Sequence, residues 1–311
     1  MVLSAELVQK TSKEINKSTK KKRKIKKEHL WGYLFIAPPI LGFVLFALIP
    51  MLFSVYISFT KFDLYNPAQF TGLDNYKRLL FEDELFWKTI FNTLYAAVGI
   101  PLGMIVALLI AVGLNQKVKG LSFFRTAFFL PTVCSVVALT LLWRWIFNSD
   151  FGLLNIFLDS IGINGPAWLS DEQWAMPAMI IQGVWGGLGM NMILYLAALQ
   201  SVNPALYEAA DIDGASAWQR FRNITIPSIS PTTFFILITS TITALQDFQR
   251  FMIMTEGGPN YSTTTVVYYL FLNAFRYMEM GYASAMAWVL GILILIITII
   301  NFKFGKKWVH Y

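Results

Sequence analysis

The chain has 311 residues, of which 56% are hydrophobic and 14% are charged, and its formal net charge is +7. Its mean hydropathy is +0.54. Soluble domains carry about 25% charged residues, so the composition excludes an ordinary soluble protein and indicates a membrane protein with several spans. The single cysteine, Cys134, excludes an intrachain disulfide.

The first segment, residues 1–29, is a basic arm. Its cations lie just before the first apolar run: Lys20, Lys21, Lys22, Arg23, Lys24, Lys26 and Lys27. A basic arm can bind nucleic acid, but no recognition fold follows this one. Lys and Arg concentrate on the cytoplasmic side of membranes, so we interpret the run as a topology signal. The polar composition of residues 1–19 predicts that the arm is partly disordered.

Six apolar segments follow, each near the length of about 20 residues that a membrane-spanning helix needs. They lie at approximately 30–59, 89–114, 123–147, 174–199, 232–254 and 281–304. The sequence therefore predicts an all-α polytopic membrane protein, with a six-span domain over 30–305 and a short tail over 306–311.

The loops predict the orientation of these spans. The arm and the tail are basic, as are the loops that carry Lys117 and Lys119 or Arg220 and Arg222, and six spans place all of them on one side. The positive-inside rule then predicts that both termini are cytoplasmic. In the outer loop 148–173, apolar residues at helical spacing predict a short amphipathic helix.

The polar loop 203–231 carries the start and stop signals of two short helices. Asn203 is a good N-cap with Pro204 in the first turn, Gly214 can end the helix in a left-handed conformation, and Ser216 can cap a second helix. The first helix is expected to present Tyr207, Glu208, Asp211 and Ile212 on neighbouring faces. A folded loop of this kind suits insertion into a groove on another protein.

The same loop resembles the coupling loop of ABC importer permeases. The spacing of that family's motif is kept here: Glu208-Ala209-Ala210 is followed after three residues by Gly214, and after nine more by 224–227, which read I-T-I-P. Ile226 replaces the usual leucine. Three further stretches resemble the carbohydrate-uptake, maltose-type branch: F-T-G-L-D-N-Y at 70–76, R-T-A-F-F-L-P at 125–131 and M-T-E-G-G-P at 254–259. The resemblance covers roughly residues 30–305.

The resemblance implies a type I importer permease in a bacterial cell membrane. Its expected partners are a second homologous permease, usually in a heterodimer, two ABC ATPase subunits and an extracellular sugar-binding protein. The chain itself is then not an enzyme and binds no cofactor, because ATP and Mg belong to the ATPase subunits. By matching position, Glu208, Ala209, Ala210 and Gly214 are the expected ATPase-coupling residues.

The resemblance also implies a substrate site between the spans that flank the loop. The matching positions are Gly183, Gly186, Gly187, Met190, Ser240, Ala244 and Asp247. We add Arg250, because charged groups inside spans usually face a pathway or each other and because a spacing of three places it on the helical face of Asp247. These two residues either pair or bind sugar, and Arg250 can also meet an acidic sugar. The glycines, with Gly189, either leave room for a sugar ring or act as small helix contacts.

Two other classes of function are less favoured by the sequence. An ion-coupled secondary transporter is the main alternative, but no inverted repeat is visible and the folded loop has no role in it. A polytopic membrane enzyme is disfavoured because no phosphate-binding loop and no catalytic cluster occur. The sequence does not identify the sugar.

Overall fold

The structure, a computed structural model, describes residues 27–116 and 120–309. Most of the basic arm, with its predicted disorder, and the loop residues Lys117 and Lys119 lie outside this part. Most of the described residues lie in helices, joined by loops and turns, and the regular structure outside the helices is one pair of two-residue strands. The predicted all-α class is therefore confirmed.

The chain divides after Ser54 into two compact units. The first contains helix α1 (Lys27–Phe43), a π-helical turn (Val44–Leu48) and the beginning of helix α2 (Ile49–Ser58). Its large apolar side chains are exposed, with Phe46 82% exposed. Such a surface suits contact with lipid or with a partner subunit.

The second unit, from Val55 onward, begins with the antiparallel strands β1 (Thr60–Lys61) and β2 (Gln69–Phe70). The helices follow in this order: α3 (Asp74–Lys77), α4 (Glu84–Ala96), α5 (Gly99–Leu114), α6 (Leu121–Val133), α7 (Val136–Ile146), α8 (Leu153–Ser160), α9 (Glu172–Ser201), α10 (Pro204–Ile212), α11 (Ala217–Arg220), α12 (Ile226–Ser228), α13 (Ser230–Leu245), α14 (Gln249–Met254), α15 (Val266–Phe271) and α16 (Met280–Gly305). Three π-helical turns continue α3, α11 and α15: Arg78–Glu82, Phe221–Thr225 and Leu272–Arg276.

Four helical stretches are long and apolar enough to cross a membrane by themselves: Trp31–Ser58, Glu84–Leu114, Glu172–Ser201 and Met280–Gly305. Two bent pairs, α6 with α7 and Ala217–Ser228 with α13, raise the number to six if each pair is one span. This range includes the six predicted spans. Helix α8 confirms the short helix predicted in the loop 148–173.

The predicted span at 123–147 is not one continuous helix. The chain breaks between α6 and α7, whose axes differ by 103°. Cys134 and Ser135 are extended at the break, with ψ angles of 153° and 132°. Pro131 lies just before them and has no N–H for the helical hydrogen bonds, which weakens the last turn of α6.

The predicted span at 232–254 is likewise not one continuous helix. Helix α13 ends at Leu245 and α14 begins at Gln249. At this end the amides of Gln246 and Asp247 bond to carbonyls three residues back, at 3.3 and 3.4 Å, which tightens the last turn. Asp247 therefore lies in a break, and its predicted position on one helical face with Arg250 is wrong.

The main core lies between α5 and α9. A Cβ atom on Gly99 would lie 3.3 Å from Ile180 Cγ2, and one on Gly103 would lie 3.8 Å from Val184 Cα. Small residues at these positions let the two helices approach closely. Further along, these elements form a core with α13: Met104, Ala107, Ala111, Leu114, Met192, Tyr195, Leu196, Leu199, Val202, Ile229 and Ile236.

At the other end of the second unit, polar bonds hold the segment between α14 and α15 against α4. Asn92 Nδ2 donates to the carbonyls of Tyr261 and Thr264 at 2.8 and 3.0 Å. Thr93 Oγ1 accepts from the Val266 amide at 3.0 Å. These buried contacts fix a loop that has little regular structure of its own.

Candidate functional site

A cavity of about 830 Å³ lies among α5, the break between α6 and α7, α9, α13 and α14. All eight predicted substrate residues line it: Gly183, Gly186, Gly187 and Met190 on α9, Ser240 and Ala244 on α13, Asp247 in the following break and Arg250 on α14. The structure therefore brings these residues together along one cavity. Their role in binding stays a prediction.

Both breaks in the helices open onto this cavity. Thr132 and Cys134 line it at the first break, and Gln246 and Phe248 line it at the second. Non-helical backbone within a membrane protein is tolerated where it is buried in protein or lines an aqueous cavity. At the first break the sequence carries a signal, Pro131, which is typical of a helix kink.

The glycines of α9 do not have one common role. A Cβ atom on Gly186 or Gly187 would meet only a side-chain amide at 4.0 Å, so both positions border open space. At Gly183 the space is filled by the guanidinium group of Arg250. At Gly189 a Cβ atom would lie 2.6 Å from the Phe128 carbonyl oxygen of α6, so this glycine is a helix contact. Gly189 therefore acts as a helix contact, whereas the open space at Gly186 and Gly187 leaves their role toward a sugar a prediction.

Arg250 is held by groups of the same chain. Its guanidinium group forms an ion pair with the Asp247 carboxylate, and Nη1 donates to Gln182 Oε1 at 2.8 Å and to the Met179 carbonyl at 3.3 Å. The side chains of Arg250 and Asp247 are only 20% and 15% exposed. Pairing is thus the alternative that the structure shows. Gln182 was not found from the sequence.

The loop 203–231 folds at one end of α9 and α13 as its capping signals predict. Asn203 Oδ1 accepts from the Ala205 amide at 3.0 Å at the start of α10. Gly214 has a φ angle of +72°, in the left-handed region that favours glycine. Ser216 and Gln219 form a reciprocal capping box at the start of α11.

The surface of this loop differs from the predicted one in two side chains. The Tyr207 hydroxyl bonds to Thr225 Oγ1 at 2.9 Å and the ring is half-buried, so Tyr207 anchors α10 to the turn after α11. Asp211 forms an ion pair with Arg220. Their expected presentation to a partner is therefore wrong for Tyr207 and reduced for Asp211.

The remaining surface of the loop is exposed and partly apolar. Ile212 is 86% exposed and Trp218 is 66% exposed. Of the predicted coupling residues, Glu208, Ala209 and Gly214 are exposed and Ala210 is half-buried. We call Glu208, Ile212, Gly214 and Trp218 the docking surface.

Comparison with known proteins gives consistent results. The chain is 42% identical over 297 residues to the probable ABC transporter permease protein YesP of Bacillus subtilis, which covers 94% of this chain and 96% of that protein. It is 39% identical to the lactose transport system permease protein LacF of Rhizobium radiobacter, over 89% and 94% of the two chains. A solved bacterial ABC transporter involved in the import of the acidic polysaccharide alginate contains a similar chain, with a TM-score of 0.79, 26% identity and coverage of 90% and 96%.

Residues 99–307 match the family described as binding-protein-dependent transport system inner membrane components. This match covers more than half of the chain, and it includes the cavity, both breaks and the docking surface. The chain belongs to this family of membrane permeases.

Proposed function

We propose that the chain is the permease subunit of an ATP-driven importer that carries a sugar or oligosaccharide into the cell by alternating access. Support comes from the named relatives, which include a lactose permease at 39% identity and a similar chain in an alginate importer. The observation that carries the proposal is the cavity, where two broken helices meet and all eight predicted substrate residues lie. Membrane transporters commonly bind substrates at such broken helices.

The docking surface is the proposed contact with an ABC ATPase subunit. A short helix with exposed apolar side chains such as Ile212 suits a groove on a partner. Glu208, Ala209, Ala210 and Gly214 are the coupling residues in this proposal. ATP and Mg bind to the ATPase subunits, and this chain binds no cofactor itself.

The complete importer in this proposal contains two ATPases, a second permease and an external binding protein. The solved alginate transporter was crystallised in complex with an alginate pentasaccharide-bound periplasmic protein, which supports the last of these partners. The second permease is a homologue of this chain, and the pair is a heterodimer. The chain lies in the bacterial cell membrane with both termini in the cytoplasm.

The single cysteine provides a direct test of the cavity. Cys134 is exposed at the first break and lines the cavity. In the assembled importer, we expect a membrane-impermeant thiol reagent to label Cys134, the transported sugar to slow labelling, and ATP with vanadate to change its rate. A Cys134→Ser chain with a new cysteine at the exposed Ser160 is the control, and its labelling is expected to be insensitive to sugar. Labelling of Cys134 that no sugar in a broad panel affects would contradict the proposed site.

The docking surface is tested by charge. Ile212→Asp introduces a charge where the proposal places an apolar groove, and a buried unpaired charge strongly disfavours binding. We expect the tagged variant to lose co-purifying ATPase subunits while it still reaches the membrane. Ile163→Asp, which changes an exposed isoleucine at the opposite end of the second unit, is the control. Equal recovery of ATPases with both variants would refute the docking assignment.

A further inference from the structure

The cavity contains two charged side chains, and they neutralise each other. Among the described residues that line it, Asp247 and Arg250 alone carry formal charge. They form the ion pair described above, so the lining has no net charge. The named substrates of relatives include lactose, which is uncharged, and the acidic polysaccharide alginate. Family membership therefore leaves the charge of the substrate open.

The hydrogen bonds of Arg250 decide whether it is free to receive an acidic group. A guanidinium group binds a carboxylate best through two parallel N–H bonds from one edge. The edge formed by Nε and Nη2 faces Asp247 Oδ2. On the other side, Nη1 is shared between Gln182 Oε1 and the Met179 carbonyl. Both sides are thus occupied by groups of the same chain.

The position of the pair also counts against its opening for each substrate molecule. The guanidinium group fills the space beside Gly183, where any larger residue on α9 would collide with it. An anion that displaced Asp247 would leave that carboxylate unpaired at a site where it is 15% exposed. An anion that did not displace it would lie beside an existing negative charge. Both arrangements are unfavourable where solvent screening is weak.

The remaining polar groups of the lining are neutral. Apart from the Cys134 thiol they are hydroxyl and amide groups, which can both donate and accept hydrogen bonds; Asn191, Ser240, Gln246 and Gln249 are among them. Gly186 and Gly187 leave open backbone beside them. Such groups match the hydroxyls of a sugar ring.

We infer that the transported substrate is an uncharged sugar and that the Asp247–Arg250 pair acts as a specificity element against acidic ones. This inference rests on the proposed function and adds the chemical class of the substrate. Asp247 is the residue that sets the selectivity, because it holds the one cation of the lining in a neutral pair. Gln182 is a positioning residue, because its Oε1 accepts from Nη1 of the guanidinium group at 2.8 Å.

The test uses matched sugars that differ in charge alone. The importer is purified through a tag on this chain, with its partner subunits, and placed in lipid nanodiscs. The probes are uronic acid oligosaccharides from several polysaccharides, the same samples after chemical reduction of their carboxyl groups, and neutral hexose and pentose oligosaccharides. Binding is measured by equilibrium dialysis with mass-spectrometric detection. We expect binding of members of the neutral set and at least tenfold weaker binding of any acidic counterpart.

Three variants connect the result to the pair. Asp247→Asn frees Arg250 and is expected to strengthen binding of the acidic probes about tenfold, the value of one charge-assisted hydrogen bond. Asp247→Asn with Arg250→Gln is expected to lose this gain, because the free cation is removed. Ser240→Ala is expected to weaken neutral binding without any gain for acidic probes. Recovery of intact complexes by size exclusion confirms that each variant assembles.

The possible failures are distinguishable. Tighter binding of acidic probes by the unmodified importer, or no gain with an assembled Asp247→Asn variant, would overturn the inference and leave the sugar importer standing. Absence of binding to every probe in both charge classes would overturn the proposed function, and the inference with it.

Discussion

Two glycines of α9, three residues apart, are expected to respond in opposite ways to the same substitution. At Gly189, a Cβ atom would lie 2.5 Å from Thr132 Oγ1 and 2.6 Å from the Phe128 carbonyl oxygen. The carbonyl belongs to the backbone of α6, so a methyl group at Gly189 forces one helix to move. At Gly186 the nearest group is Gln182 Nε2 at 4.0 Å, the end of a flexible side chain.

The magnitude follows from two terms. Replacing glycine by alanine within a helix contributes up to about 1 kcal/mol of stability at either position. Overpacking against a fixed neighbour costs about 1–3 kcal/mol, and it applies at Gly189 alone. Because the helical term is common to both, Gly189→Ala is expected to be less stable than Gly186→Ala by about 1–3 kcal/mol.

The two variants also differ in function. We expect Gly186→Ala to keep or raise the thermal stability of the purified complex and to weaken sugar uptake, since its methyl group enters the cavity. Gly189→Ala is expected to lower thermal stability and the yield of assembled complex. Thermal unfolding in detergent, with uptake by reconstituted vesicles, measures both. Equal stability of the two variants would refute the assignment of Gly189 as a helix contact.

Three further predictions concern other parts of the second unit. Gly214→Val places a β-branched residue at a φ of +72°, at a cost of about 1–2 kcal/mol, and is expected to lower the ratio of sugar taken up to ATP hydrolysed. Gly214→Asn tolerates this conformation and is expected to keep most of that ratio. Equal ratios in the two variants would contradict the role of the conformation. Asn92→Leu leaves the Tyr261 and Thr264 carbonyls without their donor, which costs about 1–3 kcal/mol. Proteolysis within residues 255–265 is therefore expected to be faster in this variant than in the control Asn66→Leu, which changes an exposed asparagine. Equal rates of proteolysis would count against the role of Asn92 in holding this loop. Burial and the hydrogen bond to Asp83 raise the pKa of Tyr269, so the unfolded chain loses the phenol proton at a lower pH than the folded chain. Stability is therefore expected to fall as the pH rises from about 9 to about 11, and to fall less steeply in Tyr269→Phe. Identical pH profiles of stability in the two proteins would refute this role of Tyr269.

The parts that were predictable from the sequence depend on local chemistry or on fixed spacing. Asn203, Gly214 and Ser216 act on backbone groups within a few residues of themselves, so their roles were predicted from residue type and position in the loop. The resemblance supplied seven of the eight candidate substrate positions, Arg250 being the exception, and the structure places all eight along one cavity.

The parts that were missed depend on contacts between residues distant in sequence. The break after Leu245 coincides with the largely polar residues 246–250, and the backbone carbonyl of Asp247 accepts a long bond at 3.4 Å from the hydroxyl of Thr265. Gln182 meets Arg250 from a helix 68 residues earlier. A helical projection places Tyr207 on the exposed surface of the loop, yet its hydroxyl bonds to Thr225. Local patterns of apolar residues and helical spacing do not predict such contacts between residues distant in sequence.

The connection between the docking surface and the cavity is direct along the chain. Helix α9 runs without a break through the cavity-lining residues to Ser201, and α10 begins at Pro204. Helix α13 begins just after α12 and reaches the cavity without a break. From Met190 to Ser201 the helix spans about 16 Å, a length over which an α-helix moves as a rigid body. A displacement of α10 and α11 is therefore expected to reach Gly186 and Ser240 with little loss.

The broken helices have the complementary property. Helices α6 and α7 meet at extended residues, and α13 meets α14 at three non-helical residues, both beside the cavity. Backbone at such breaks can absorb changes in φ and ψ that an intact helix cannot. Alternating access needs two kinds of element: rigid helices that connect the docking surface to the cavity, and broken helices that line the same cavity and can bend. We therefore expect a disulfide across the first break to stop transport while the ATPase subunits still bind. Loss of ATPase binding in this variant would contradict the argument, because it would show that the break does not move independently of the docking surface.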